Sequence, residues 1–279
     1  MMLPIYVIAL KKSKERRQIM TKRLERLGLE FSFIDAVVGK DIHDTEKNRL
    51  CSQKRQRFLR FPLSNGALGC LMSHRAIWQK MQEDRIDTAL ILEDDAVIAP
   101  EILDVLPRLE KLKGHFDVIS LHDMKGLPLI DIAEISGSHR LSTTRYNNIG
   151  AVSYVISKKA AKHLLDLSLP AIFEVDVLMN RWWDHGLQTL LVTPQVVNED
   201  DSPSTIGYGE AQPVWPDDTI IHKLNRRFNR AKDSIAKRRL FVKMMAKAKM
   251  RLKAASPDDM SFDVLLSAPL LRSTRALSW

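Results

Sequence analysis

Cysteine is nearly absent from this chain of 279 residues, which holds two, Cys51 and Cys70. A lone, widely separated pair offers neither a disulfide framework nor the spacing of a zinc site, so both read as reduced thiols of a cytosolic protein. Long apolar runs are missing too: no window approaches the ~18 consecutive apolar residues that cross a bilayer. The opening MMLPIYVIALKK has no basic residue ahead of its apolar run and no small-residue cleavage pattern behind it. It therefore reads as a buried first strand rather than a leader peptide. Low-complexity tracts are also lacking, and 45% hydrophobic residues suffice for a real core. The length suits one large α/β domain or two smaller ones.

Acids are scarce in one place. Between His222 and Ala254 there are 13 Lys and Arg against one acid, Asp233, a net +12. The whole chain carries +9, from 43 basic and 34 acidic residues, so the remainder holds 30 basic against 33 acidic, or −3. Basicity thus belongs to one C-terminal segment, where Leu224, Phe228, Ala231, Ile235, Val242, Met245 and Leu252 form a broken stripe at helical spacing. A basic amphipathic helix over residues 223–253 suits an anionic membrane surface, where each near-surface cation adds roughly 1 kcal/mol. Phosphate backbones attract the same charge. No nucleic-acid motif accompanies the segment, so a membrane surface is the expected partner and nucleic acid is not.

The remainder alternates. LPIYVIAL (3–10) reads as a buried strand, and Ser13 can cap a helix reaching about Leu27 with Gly28 as its stop signal. EFSFIDAVV reads as a second strand, and residues 40–64 as a polar, irregular loop. NGALGCLMSHRAIWQKMQED has helical spacing; ALILEDDAVI is the next strand, with Pro100 suited to the first turn of the helix after it. HFDVISLH, a hairpin within 124–148, and GAVSYVIS follow; Ser157 can cap a helix through Leu167. EVDVLMNRWWDHG reads as one helix closed by Gly186, and LQTLLVT as a strand. Strands alternating with helices imply an open, largely parallel sheet in an α/β fold, which binds ligands beyond the carboxyl ends of its strands. The expected division is a catalytic domain over 1–216, the basic helical segment over 217–255 and a tail over 256–279.

Glu93, Asp94 and Asp95 fall at that edge. Three adjacent acids repel one another, and a divalent cation would cancel the repulsion while attracting a diphosphate. The plain alternative is an acidic turn capping the next helix, and the pattern alone does not separate the two.

Several segments together carry a resemblance. VIALKKSKERR, FIDAVVGKDI, GALGCLMSHRAIWQKM, ALILEDDAVI, FDVISL, GAVSYVISKKAAKHLL, EVDVLM and LLVTPQVV look like successive blocks of glycosyltransferase family 25. That family includes bacterial lipooligosaccharide β-galactosyltransferases and animal collagen galactosyltransferases. The match runs over about residues 3–206, and its most specific parts are Gly66, Gly69, Cys70, Ser73 and His74 together with the Ile-Leu-Glu-Asp-Asp block.

The resemblance implies a GT-A-type nucleotide-diphospho-sugar transferase fold and an inverting, metal-dependent transfer of a hexose, galactose from UDP-galactose, to a lipooligosaccharide or other saccharide. Asp95 becomes the main ligand of Mn²⁺ or Mg²⁺, with Glu93 beside it, and Glu93 and Asp94 lie near the ribose or sugar of the donor. Leu10, Ser13 and Arg16 match the family's N-terminal pattern and line the nucleotide pocket. Ser73 and His74 support the donor site, whereas Cys70 is small packing. Asp176 is the expected base that deprotonates the acceptor hydroxyl. Here Glu-Val-Asp replaces the family's Pro-x-Asp, which keeps Glu174 as a rival and Asp184 as a weaker one. Ala151 stands where family members carry threonine, and Trp182 or Trp183 can stack on a sugar while the other is core. The loop 198–216 can close over the donor, and His222 is a guess for a late metal ligand.

With no secretory signal read, the expected location is cytoplasmic, peripheral on the inner membrane face. The rival is a catalytically inactive membrane- or anion-binding protein on a transferase scaffold. A phosphohydrolase lacks its nucleophilic Asp-x-Asp-x-Thr pattern.

Overall fold

The computed structural model describes residues 3–57, 59, 61–124, 126–200, 215 and 217–255, and it is organised about one eight-stranded sheet. The expected tail over 256–279 and most of the loop 198–216 lie outside the described residues.

The apolar run near the start becomes β1 (Ile5–Ala9), buried along its whole length. It leads into α1 (Lys14–Arg26), which buries Met20 and Leu24 and ends at Gly28, whose φ of +66° suits a left-handed stop. Ser13 precedes α1 but its side chain makes no capping bond. After β2 (Ser32–Asp35), the stretch expected as a loop contains a 3₁₀ turn at Gly39–Asp41 and two short helices, α2 (Asp44–Leu50) and α3 (Gln53–Gln56). Their polarity misled because no α2 residue is buried: it is a surface helix without an apolar stripe.

α4 (Asn65–Glu83) follows, started by Ser64, whose Oγ accepts the Ala67 N–H at 3.0 Å. The expected strand over 89–98 divides into β3 (Thr88–Glu93) and β4 (Ala96–Ile98), with the chain turning at Asp94 and Asp95. Next come α5 (Ile102–Lys111), β5 (Val118–Ser120), the hairpin β6 (Ile130–Ser136) and β7 (His139–Thr143), β8 (Ser153–Ser157) and α6 (Lys158–Leu167). Ser157 caps α6 as expected. The helix expected over 174–186 is two, α7 (Val175–Met179) and α8 (Trp182–His185), broken at Asn180 and closed by Gly186 at φ +73°. β9 (Thr189–Thr193), β10 (Val197–Glu199) and α9 (Ile220–Ala255) complete the described elements.

The sheet order is β2-β1-β3-β8-β5-β9-β7-β6, with β10 and β4 forming a separate two-stranded ribbon. β1 pairs parallel with β2 and β3, and β5 with β9. β8 runs antiparallel to β3 and β5, and β7 antiparallel to β9 and β6. Six strands therefore share one direction and two, β8 and β7, oppose it.

Alternation along the strands sorts the core into two layers. Ile5, Val7, Leu90 and Leu92 face α1, α5, α8 and α9; Tyr6, Ile8, Ala89 and Ile91 face α4, α6 and α7. Leu90, Ile91 and Leu92 are fully buried, each worth ~1.5–3 kcal/mol. That is enough to hold β3 in place despite three charges at its end.

Candidate functional site

β1, β2 and β3 run parallel and release the chain at one edge, where a cleft of about 310 Å³ opens. Leu10, Lys12 and Ser13 follow β1, Val37 to Lys40 follow β2, and Glu93 to Asp95 end β3; the first turns of α4 supply Asn65, Gly66, Cys70, Ser73 and His74. The cleft thus brings together Leu10, Ser73, His74, Glu93, Asp94 and Asp95 of the predicted site.

Its width is set by backbone contact. A Cβ on Gly69 would sit 2.7 Å from both Gly39 N and Val37 O, and one on Gly39 would run into Asn65 O. α4 and the loop after β2 meet this closely only because both positions are glycine. Ser73 fastens the contact: its Oγ donates to Gly69 O at 2.7 Å and accepts the Val37 N–H at 2.8 Å. Its hydroxyl is engaged in holding the wall.

The acids are unequally compensated. Arg16, from α1, donates to Asp94 Oδ1 at 2.7 Å and stands 4.0 Å from Asp95 Oδ2. Burial raises the Asp94 carboxyl above its ordinary value and Arg16 pulls it back. Asp95 has no such partner among the described residues, where its buried Oδ1 makes no hydrogen bond. Burial, and then the charges of Glu93, Asp94 and Glu199, push its pKa up to about 7. Glu199 arrives through the ribbon, where it pairs with Ala96, and the next residue donates its N–H to Asp95 O at 2.9 Å. Arg23 ties the corner, holding Asp200 at 2.6 Å and Ala96 O at 2.9 Å.

Glu93 is aimed by a buried relay. The Trp78 indole N–H can only donate, and it reaches Tyr154 OH at 3.1 Å. Tyr154 OH lies 2.7 Å from His74 Nδ1, and His74 Nε2 lies 3.1 Å from Glu93 Oε1. The assignment satisfying every group has Tyr154 donating to Nδ1 and Nε2–H donating to Glu93. His74 is fully buried, so it positions Glu93. Cys70 Sγ, a His74 nitrogen and a Glu93 oxygen lie within 4.8 Å of one another. With both His74 nitrogens engaged, that set suits a hard cation less than the oxygens of Glu93 and Asp95. An orphaned buried carboxylate oxygen among like charges is what a divalent ion would complete, so the residues present fit Mn²⁺ or Mg²⁺.

Asp176 sits on α7, 9% exposed. Its Oδ2 accepts the Gly150 N–H at 3.0 Å and its Oδ1 the Val177 N–H at 2.7 Å. Burial raises its pKa; these hydrogen bonds lower it and the charge of Glu93 raises it further. Glu174 occupies the cap position of α7 without a side-chain capping bond, and burial followed by Asp176 raises its pKa as well. Asp184 is spent on an exposed ion pair with Arg181. Ala151 packs in the core beside Tyr154 and Val175.

Two expectations are corrected. Trp182 and Trp183 are both buried and offer no face to a sugar. Trp182 packs on Phe241 and Trp183 carries Lys237 Nζ 3.9 Å over its ring, so the pair anchors α9. His222 folds back on its own helix start, with Nδ1 3.2 Å from Asp217 O; the late acid beside Asp95 is Glu199. Trp78 and Tyr154 were missed, and the only trace they leave in sequence is a polar tip on an otherwise apolar face.

Residues 2–179 match the family model of glycosyltransferase family 25 (LPS biosynthesis protein). A "Glycosyltransferase 25 family member" of Aedes aegypti is 32% identical over 171 residues, covering 58% of this chain and 28% of that protein. Procollagen galactosyltransferase 1-A of Xenopus laevis is 28% identical over the same shares. The lipooligosaccharide biosynthesis protein lic2B of Haemophilus influenzae is 24% identical, over 62% of this chain and 68% of that one. The chain thus spans under a third of the insect and frog relatives' aligned proteins. Among solved structures, a Drosophila β1,4-galactosyltransferase 7 mutant complexed with manganese, UDP-Gal and xylobiose superposes at TM-score 0.36 and 11% identity, over 81% of this chain and 80% of that one. That score carries no argument of its own. On the family match over more than half its length, the chain belongs to glycosyltransferase family 25.

Proposed function

We propose that this chain is an inverting, metal-dependent hexosyltransferase of GT-A type that moves galactose from UDP-galactose to a saccharide acceptor, with lipooligosaccharide as the acceptor class. One observation carries the reading: Asp95 lies at the end of β3 with a buried oxygen that has no hydrogen-bond partner among the described residues, beside Glu93, Asp94 and Glu199, whose charges outweigh the Arg16 guanidinium 4.0 Å away. The names of relatives that are galactosyltransferases or act in lipooligosaccharide biosynthesis support it.

Asp95 and Glu93 would hold Mn²⁺ or Mg²⁺, which when bound supplies positive charge to a departing diphosphate. The other roles belong to the chain. Leu10 and Ser13 wall the nucleotide side of the cleft. Arg16 fixes Asp94 toward the donor, and the Trp78–Tyr154–His74 relay fixes Glu93. Asp176 takes the proton of the acceptor hydroxyl as that oxygen bonds to the anomeric carbon and the bond to UDP breaks. A carboxylate made more basic by burial suits the task. Glu174 is its rival.

The test is UDP release from a panel of UDP-sugars with Mn²⁺, with and without a chelator. Turnover that is largest with UDP-galactose and abolished by the chelator is expected; chelator-resistant turnover, or none with any UDP-sugar, would sink the proposal. Of Asp176→Asn and Glu174→Gln, the former should lose far more activity.

A further inference from the structure

α9 is 36 residues long, about 54 Å at 1.5 Å per residue, and the structure buries one row of its apolar residues while leaving others open to solvent, Ile221, Leu240 and Met250 among them. Phe241, Met245, Ala248 and Leu252 are buried against the body. Met245 and Leu252 therefore leave the stripe that the sequence grouped together. The sole acid of the helix, Asp233, is also turned inward, accepting from Arg181 at 3.0 and 3.3 Å. Arg226, Lys237 and Arg251 join the same side through Asp218, Asn147 and Asp117.

Another row remains outside. Ile220 is 75% exposed, Phe228 70%, Val242 66%, Leu224 58% and Ile235 51%. At 100° per residue these five share a sector about 80° wide, roughly a quarter-turn from the buried row. In that projection Arg227 and Arg238 border one edge and Lys232 and Lys243 the other, all four exposed. Of the helix's 13 cations, the ten other than Arg226, Lys237 and Arg251 are exposed.

We propose that this outward face of α9 docks on an anionic lipid surface, with Ile220, Leu224, Phe228, Ile235 and Val242 entering below the headgroups and the bordering lysines and arginines meeting their phosphates. Two observations select this occupant. A phosphate backbone rewards the charge but not an exposed row of Ile, Leu, Phe and Val. An apolar protein groove would reward the row but not a border of cations with no acid among them. An interface with fatty chains beneath and phosphates above rewards both, because lysine and arginine stems lie along apolar surface while their heads reach outward. The helix lies flat, since no described helix is long and apolar enough to cross a membrane. Nothing here depends on the donor chemistry.

The full chain is sedimented with vesicles of phosphatidylcholine alone and with vesicles about one-third phosphatidylglycerol, at low and high salt. Binding to the anionic vesicles only, weakened by salt, is expected. A Phe228→Ser, Val242→Ser double variant, at two positions open to solvent, should bind about tenfold more weakly with an unchanged circular dichroism spectrum. Its UDP-sugar turnover on a soluble acceptor should match that of the parent. Equal binding to neutral vesicles, no vesicle binding, parent-like binding by the variant, or duplex DNA bound as tightly and insensitive to the substitutions would each overturn the proposal. Loss of turnover with vesicle binding intact would count against the transferase reading alone.

Discussion

Asp117 and Asp95 are both largely withdrawn from water, and the fold treats them in opposite ways. Asp117, 4% exposed, accepts the Gln188 N–H at 2.9 Å and a two-pronged grip from Arg251 at 2.8 and 3.2 Å. Its charge is fully answered by the chain, and the answer pins the far end of α9 to the sheet. Among the described residues Asp95 keeps one oxygen unpartnered, and it is ringed by Glu93, Asp94 and Glu199. A buried acid that the protein satisfies is a fastening. One that it leaves unsatisfied, inside a cleft, is a receptor for something brought from outside.

Substitution should separate the two most sharply. Asp95→Asn is expected to cut UDP release roughly 10³-fold, since its carboxylate would hold the cation whose positive charge the departing diphosphate needs. Its metal-free melting temperature should stay level or rise, because a repulsion is removed. Asp117→Ala should reverse the pattern. It strands Arg251 and costs about 3–5 kcal/mol in a urea titration, as breaking a largely buried pair does. A destabilised Asp95→Asn would break the comparison.

The next effect is one of pH. The unfolded Asp95 ionises near its ordinary value, whereas the folded one holds its proton to about pH 7. Between those limits the folded state binds more protons, so metal-free stability falls as pH rises, by at most about 1.4 kcal/mol per unit for each proton. Above about 7 this contribution is flat. Melting curves across pH should show the slope without metal and lose it with saturating Mn²⁺. A slope unaffected by Mn²⁺ would remove Asp95 from the metal site.

The smallest effect is expected at Tyr154→Phe, which removes the hydroxyl between Trp78 and His74. Stability should drop by about 1 kcal/mol. Turnover should fall about tenfold with KM for the donor unchanged, because Glu93 is loosened rather than lost. An equal change in KM would make the relay a binding feature only.

Much of this was readable in the chain because it is local. The buried run of β1, the Gly28 stop, the Ser157 cap and the apolar half of β3 each declare themselves within a few residues. The acids were legible for the same reason. What escaped was set by distant partners. His74 and Tyr154 are 80 positions apart, so no pattern along the chain joins them. One of Trp182 and Trp183 looked fit for a sugar until Phe241 and Lys237 claimed them both. The stripe of α9 was read as one face because periodicity reports that a helix has a preferred side, not which side a sheet will take. Residues 44–50 were missed for the opposite reason: a helix burying nothing has no stripe to read.

Gly69 deserves a different description from the one its place in a recurrent block invites. It meets backbone atoms of Gly39 and Val37 rather than any flexible side chain, so a methyl group there cannot be absorbed by a rotamer change. α4 would have to slide, carrying Ser73 and His74 with it and widening the slot against which Glu93 is held. In mutational terms the two glycines act as a feeler gauge: they set the gap that decides what the cleft can take.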